Sequence, residues 1–202
     1  MDAGERPHVP FVGLTGGMGA GKSEALAALE RLGAATLSSD AVVHELLTGR
    51  EMRDLLVERL GPEVAPYGSV DRGAVGRAVF ERSEDREWLE GLLWPRVGAG
   101  IAAWREEVEQ SDPPPRALVV EVPLLFESGM EAAFDHTISV VADEQVRARR
   151  AGLRGHEGLE SRETRQLSQG EKADRADFVV RNDGDLAELK GKMSDLLARM
   201  SP

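Results

Sequence analysis

Apolar and polar positions along the chain fall into alternating short and long blocks. Phe11-Val12-Gly13-Leu14-Thr15 is a short apolar run that predicts a strand, and Glu24 to Leu32 then carries apolar Leu26, Leu29 and Leu32 at spacings of three, a helix with Gly33 as its stop. Ala34 to Leu37 predicts a second strand, after which Asp40 heads a helical stretch from Ala41 to Leu47. Residues 48 to 112 read as mostly helical: Glu51 to Leu60, a Gly/Pro-rich turn over Gly61 to Gly68, then Asp71 to Phe80, Glu84 to Leu93 and Arg96 to Gln110. Ser111-Asp-Pro-Pro-Pro115 predicts a rigid surface connection. Ala117-Leu-Val-Val-Glu-Val122 is continuously apolar but for one acid, the pattern of a central parallel strand, and His136 to Ala142 predicts a fourth. Asp143 to Arg154 reads as an arginine-rich helix, Gly155 to Ser161 as a flexible tip and Arg162 to Lys172 as a second polar helix, together a mobile lid. Phe178-Val-Val180 closes the strand set, before a turn at Asn182-Asp-Gly184 and a terminal helix from Asp185 to Met200. Strands alternating with helices predict an α/β architecture. The long helical block between the second and third strands exceeds what a crossover needs and predicts a substrate-binding insertion.

Composition narrows the class. A chain of 202 residues, 41% hydrophobic, can bury a substantial core, and its length suits one domain carrying an insertion. A net charge of −11 argues against a nucleic-acid partner, whose backbone is bound by clustered Lys and Arg. Without cysteine there is no disulfide, thiolate metal site or cysteine nucleophile, which fits a reducing compartment. Met1 to His8 has no apolar stretch of a leader, and the longest apolar run, Ala117 to Phe126, is broken by Glu121 and Pro123. The expectation is a cytoplasmic protein with no membrane partner, and no obligate protein partner is inferred.

Chemistry concentrates between the first strand and the first helix. Gly16-Gly17-Met18-Gly19-Ala20-Gly21-Lys22-Ser23 is a complete G-x-x-x-x-G-K-S phosphate-binding loop. Its glycines let backbone N–H groups approach an oligophosphate, Lys22 supplies charge to the β and γ phosphates, and the Ser23 hydroxyl is a Mg²⁺ ligand at a helix N-terminus. Asp40 follows the second strand, where ligand sites of open α/β sheets lie; it reads as a functional acid or as the N-cap of the next helix, and the two roles can coexist. Glu121 occupies a Walker B-like place and either holds a Mg²⁺-bound water or serves as a cap or ion-pair partner. Arg150 and Arg154 share a helix face, either solvated or closing over the transferring phosphoryl group. A GTPase would need an Asn-Lys-x-Asp guanine reader, which is absent, and Leu167-Ser-Gln-Gly-Glu171 lacks the following strand of a transporter ATPase.

In this order, Gly13 to Ser23, Ser39-Asp40 with His44, Asp71-Arg72 with Phe80, Pro123-Leu-Leu-Phe-Glu127, the Arg150/Arg154 pair, Arg162 with Gln166 and Lys172, and Ala176-Asp-Phe-Val-Val-Arg-Asn182-Asp-Gly184 resemble the dephospho-coenzyme A kinases. The resemblance implies a three-layer P-loop kinase fold of the nucleoside-kinase type, with a five-stranded parallel sheet, a core over residues 9–41, 113–142 and 173–202, a helical acceptor-binding insertion at 42–112 and a lid at 143–172. It implies transfer of the γ-phosphoryl of ATP, with Mg²⁺, to the ribose 3′-hydroxyl of dephospho-coenzyme A, the last step of coenzyme A synthesis. Asp40 matches the general base, with Lys22, Arg150 and Arg154 as the other catalytic groups. The loop from Gly16 to Ser23 with Glu24 and Asn182 matches the nucleotide site, and Asp40, His44, Arg72, Pro123 and Leu124 the acceptor site. Three positions depart from the usual pattern: Ser38 replaces an acid two residues before Asp40, Glu24 replaces a threonine after the loop serine, and Trp94 replaces a histidine before Pro95. Another small-molecule P-loop kinase and a degenerate nucleotide binder are the competing readings.

Overall fold

In a computed structural model of the chain, residues 8–153 and 166–200 are described. The elements in order are β1 (Phe11–Gly16), α1 (Lys22–Arg31), β2 (Ala35–Ser38), α2 (Ser39–Thr48), α3 (Arg50–Leu60), α4 (Arg72–Glu81), α5 (Ser83–Glu109), β3 (Leu118–Glu121), β4 (His136–Val141), α6 (Glu144–Leu153), α7 (Gln169–Arg175), β5 (Phe178–Arg181) and α8 (Leu186–Met200). The strands form one five-stranded sheet in the order β2-β3-β1-β4-β5, every pair parallel.

The order places β1 at the centre, and all six of its residues are buried. Its apolar run is the consequence: with helices on both faces of a parallel sheet, no side of the strand meets water. Val12, Leu14, Val119, Ile138 and Val140 from the strands pack with Leu29 of α1 and with Leu189, Met193, Leu196, Leu197 and Met200 of α8. The α8 residues recur at helical spacing, so one stripe of that helix faces the sheet. Burying one such leucine or methionine fully contributes about 1.5–3 kcal/mol.

The chain divides into two compact units, one formed by the chain up to Ser38 together with Trp104 onward, the other by Ser39–Ala103. The second has its own core of Leu47, Met52, Leu56, Val64 and Val75, against which Trp88, Leu89, Leu92 and Leu93 pack. No helix among the described residues is long and apolar enough to cross a membrane.

Three local expectations are corrected. The two helices anticipated on either side of Pro95 are one 27-residue helix, α5, with the proline inside it. Helix α2 starts at Ser39, so Asp40 lies within its first turn and is not the N-cap. The helix expected from Arg162 begins, among the described residues, only at Gln169, where Ser168 and Glu171 form a reciprocal capping box, and it runs on to Arg175. Arg154, Arg162 and the tip at Gly155 to Ser161 lie outside the described residues.

Candidate functional site

The loop from Gly16 to Lys22 joins the central strand to the first turn of α1. Gly21 has φ +94°, and a Cβ there would collide with the Asn182 side-chain nitrogen; Gly19 has φ +72°, and a Cβ there would lie 2.8 Å from the Arg147 carbonyl oxygen. Only glycine provides both the backbone conformation and the clearance. The same contacts identify the neighbours that hold the loop. Asn182, buried at the end of β5, donates from Nδ2 to the Ala20 carbonyl at 2.9 Å, and Arg147 of α6 donates from Nε to the Met18 carbonyl at 2.8 Å.

Lys22 donates from Nζ to the carbonyls of Gly16 and Gly17, both at 3.2 Å, so its ammonium lies over the loop it is expected to serve. Ser23 is exposed in the first turn of α1, where N–H groups and the helix dipole favour an anion. Glu24 follows, half-buried. It lines a cavity of about 310 Å³ with Arg150, Asn182, Gly184, Asp185, Leu186 and Leu189. That volume is at the small end of ligand pockets, about 300–1,000 Å³. Its apolar leucines with a few polar groups suit one flat heterocycle.

Arg150 donates from Nη1 to the Asn182 carbonyl at 2.9 Å. Asp183 next to it accepts from the Asp143 backbone N–H at 2.6 Å. This bond, with Arg181 helping, holds the Asp183 carboxyl below the usual aspartate range. The turn into α6 and the turn after β5 are thus bonded together, which sets Arg147 and Arg150 beside the phosphate loop.

At the other side of β1, the buried Glu121 ends β3 in register with Leu14 and Ser38. Pro123 and Leu124 follow, both half-buried. The Pro123 carbonyl accepts from the Thr15 hydroxyl at 3.3 Å and from the Lys172 ammonium. Among the described residues no three His, Cys, Asp or Glu side chains form a metal-binding group. One hydroxyl and one carboxylate are nonetheless the hard oxygen donors that suit Mg²⁺, which is usually completed by substrate phosphates and water.

Asp40, His44 and Arg72 belong to the Ser39–Ala103 unit and are all exposed. Asp40 and His44 are four apart on α2 and share a face. Arg72 is the first residue of α4, whose N-cap is Asp71, accepting from the N–H groups of Gly73 and Ala74. The structure therefore gathers the loop, Glu24, Arg147, Arg150 and Asn182 in one unit, with Glu121, Pro123 and Leu124 after β3 of that unit. Arg147 was missed as a site residue. Its signal was available: it stands three before Arg150 in the same arginine-rich helix, and three is as good a same-face spacing as four.

Similarity to known proteins extends over most of the chain. The family model described as dephospho-CoA kinase matches residues 10–188. A dephospho-CoA kinase of Symbiobacterium thermophilum is 39% identical over 189 residues, which cover 91% of this chain and 78% of the relative. A solved Thermus thermophilus protein, 33% identical, superposes with a TM-score of 0.79 over 96% of this chain and all of its own. A solved dephospho-CoA kinase of Campylobacter jejuni, 23% identical, has a TM-score of 0.69 over 95% and 96% of the two chains and shares the fold.

Proposed function

The chain belongs to the dephospho-CoA kinase family, and from that premise we propose how its own residues carry out the phosphorylation of dephospho-coenzyme A by ATP to give coenzyme A and ADP. The observation that carries the reading is the phosphate loop at Gly16 to Ser23, held on its two sides by Asn182 and Arg147. The loop N–H groups and Lys22 bind the β and γ phosphates, and the base of ATP enters the cavity lined by Glu24, Asn182 and Leu186. Arg150, with Arg154 from outside the described residues, stabilises charge on the γ-phosphoryl as it transfers.

Asp40 accepts the proton of the ribose 3′-hydroxyl, on the ground that it follows β2 by two residues, beyond the carboxyl end of the sheet. His44, Arg72, Pro123 and Leu124 complete the acceptor site, with residues 42–112 as the acceptor-binding insertion and 143–172 as the lid. Ser23 and, through a water, Glu121 would hold Mg²⁺, which when bound neutralises charge shared by the β and γ phosphates. A cytoplasmic location, resting on the cysteine-free chain, completes the proposal, and the acidic net charge supports small-molecule substrates without a nucleic-acid partner.

The test is an ADP-release assay with dephospho-coenzyme A set against other ribose and small-molecule acceptors, repeated with Lys22→Ala. We expect turnover with dephospho-coenzyme A to dominate the panel, and the variant to lose at least about a hundredfold, the scale of removing one transition-state charge contact. Preference for another acceptor would reject the substrate assignment, and near-normal turnover by folded Lys22→Ala would reject the role of the loop.

A further inference from the structure

Lys172 is fully buried, the bulkiest side chain among the described residues to be so. Its ammonium, carried by α7, donates to the Pro123 carbonyl and pairs with Glu127 Oε1 at 3.0 Å. Those two partners are the first and last residues of Pro-Leu-Leu-Phe-Glu, so one side chain holds both ends of the loop that leaves β3. Two further bonds meet at the same atoms. The Thr15 hydroxyl, one residue before the phosphate loop, donates to the Pro123 carbonyl, and the Leu167 N–H donates to Glu127 Oε1 at 2.9 Å. Within the loop, Leu125 and Phe126 are buried as anchors, while Pro123 and Leu124 stay half-buried.

This arrangement is a poor way to gain stability. A buried ion pair is often replaced by apolar residues without loss, because desolvating two charges offsets their attraction. Here the second carboxylate oxygen, Glu127 Oε2, is buried with no hydrogen-bond partner among the described residues, which adds to the penalty. What the pair does supply is direction: an ammonium aims donors at fixed carbonyl and carboxylate oxygens, which a methylene chain cannot do.

We propose that Lys172 and Glu127 are positioning residues for the transfer reaction, fixing Pro123 and Leu124 so that the acceptor, and not ATP, is seated against them. The inference rests on the acceptor role given above to Pro123 and Leu124. The side chains of the pair themselves reach the ATP loop only through the Thr15 hydroxyl on the shared carbonyl, while they hold both ends of the Pro123–Glu127 loop directly.

The deciding variant is the double substitution Lys172→Met with Glu127→Met, which leaves no lone buried charge and fills similar space; Lys172→Met alone accompanies it. Misplacement of about 1 Å costs up to about a hundredfold in catalysis, so we expect KM for dephospho-coenzyme A to rise at least about tenfold in the double variant. The dissociation constant for ATP should stay within about twofold, since uniform effects on both substrates would mark general damage. A folded double variant with wild-type acceptor KM, or with ATP affinity lost in parallel, overturns the proposal. Failure of both variants to fold overturns it too, because the pair then serves the fold. Leu124→Ala separates the inference from the reading beneath it. If that variant raises acceptor KM and the double variant does not, only the inference fails; if it leaves KM unchanged while the double variant raises it, Leu124 is no contact and the positioning role stands through Pro123 alone.

Discussion

Asp40 is exposed in the first turn of α2 and is not its N-cap, so its replacement can be interpreted chemically. Asn at this position keeps the size and removes one negative charge near the positive end of the helix dipole, about 0.3–1 kcal/mol at an exposed site. The fold of Asp40→Asn should therefore survive with a small drop in melting temperature. What disappears is the carboxylate proposed to take the 3′-hydroxyl proton, a contribution of about 10² to 10⁴ in rate. Ser38, two residues before it, supplies no substitute carboxylate. We expect single-turnover transfer to fall at least about a hundredfold, in line with that range, while ATP still binds. A variant retaining more than about a tenth of wild-type turnover, well short of a general-base effect, would take the proton-accepting role away from Asp40. Of the residues that hold the phosphate loop, Asn182 was recognisable beforehand because a terminal Asn-Asp-Gly is specific. Arg147 was legible only as a same-face neighbour of Arg150, three before it, and the bond to the Met18 carbonyl is what distinguishes it from the other arginines of that helix.

At the scale of elements, what could be read from the pattern was whatever one side of the chain alone determines. The β1 and β3 runs are apolar on both faces because both faces are covered, and Gly33, at φ +93°, does end the first helix region. Pro95 misled for a sound reason: it removes a helix hydrogen bond and its ring crowds the preceding turn, at about 3 kcal/mol or more in a helix interior. Tertiary packing outweighs that, since Trp88, Leu89, Leu92 and Leu93 before it are packed into a core and Val97 and Ile101 after it are buried. In addition, Arg96 donates to the Leu92 carbonyl at 2.9 Å within the same turns. The late start of α7 was likewise hidden, because Ser168 and Glu171 define the N-terminus by a reciprocal bond that a merely polar stretch does not advertise. Pro95 itself is exposed, so Pro95→Ala leaves no cavity. Urea unfolding should show that variant more stable by about 1–3 kcal/mol, the proline penalty less whatever relaxation has already relieved. Unchanged or lower stability would mean that the chain direction set by the proline is itself required by the packing on either side of it.

For the whole molecule, the consequential fact is that the unit carrying the proposed nucleotide site and the helical unit Ser39–Ala103 have separate cores. The Gly16 to Ser23 loop, Arg147, Arg150 and Asn182 are all built on the unit that contains the sheet, whereas Leu47, Met52, Leu56, Val64 and Val75 form a core of their own within Ser39–Ala103. Leu56 is fully buried there, and Leu56→Ala should cost about 2–5 kcal/mol through lost transfer energy and the cavity left behind. Against a total stability of about 5–15 kcal/mol for a typical domain, that is enough to open the unit locally. Hydrogen exchange should then lose protection over residues 39–103 while β1, β3 and α8 keep theirs. Binding of ATP, measured by calorimetry, should persist, because no residue of the proposed nucleotide site belongs to the destabilised core. Turnover with dephospho-coenzyme A should fall with the loss of protection, since Asp40, His44 and Arg72 are carried on that segment. Protection lost uniformly along the chain, with ATP binding lost alongside it, would show that the two cores fold as one cooperative unit and that the insertion cannot be perturbed without the nucleotide site.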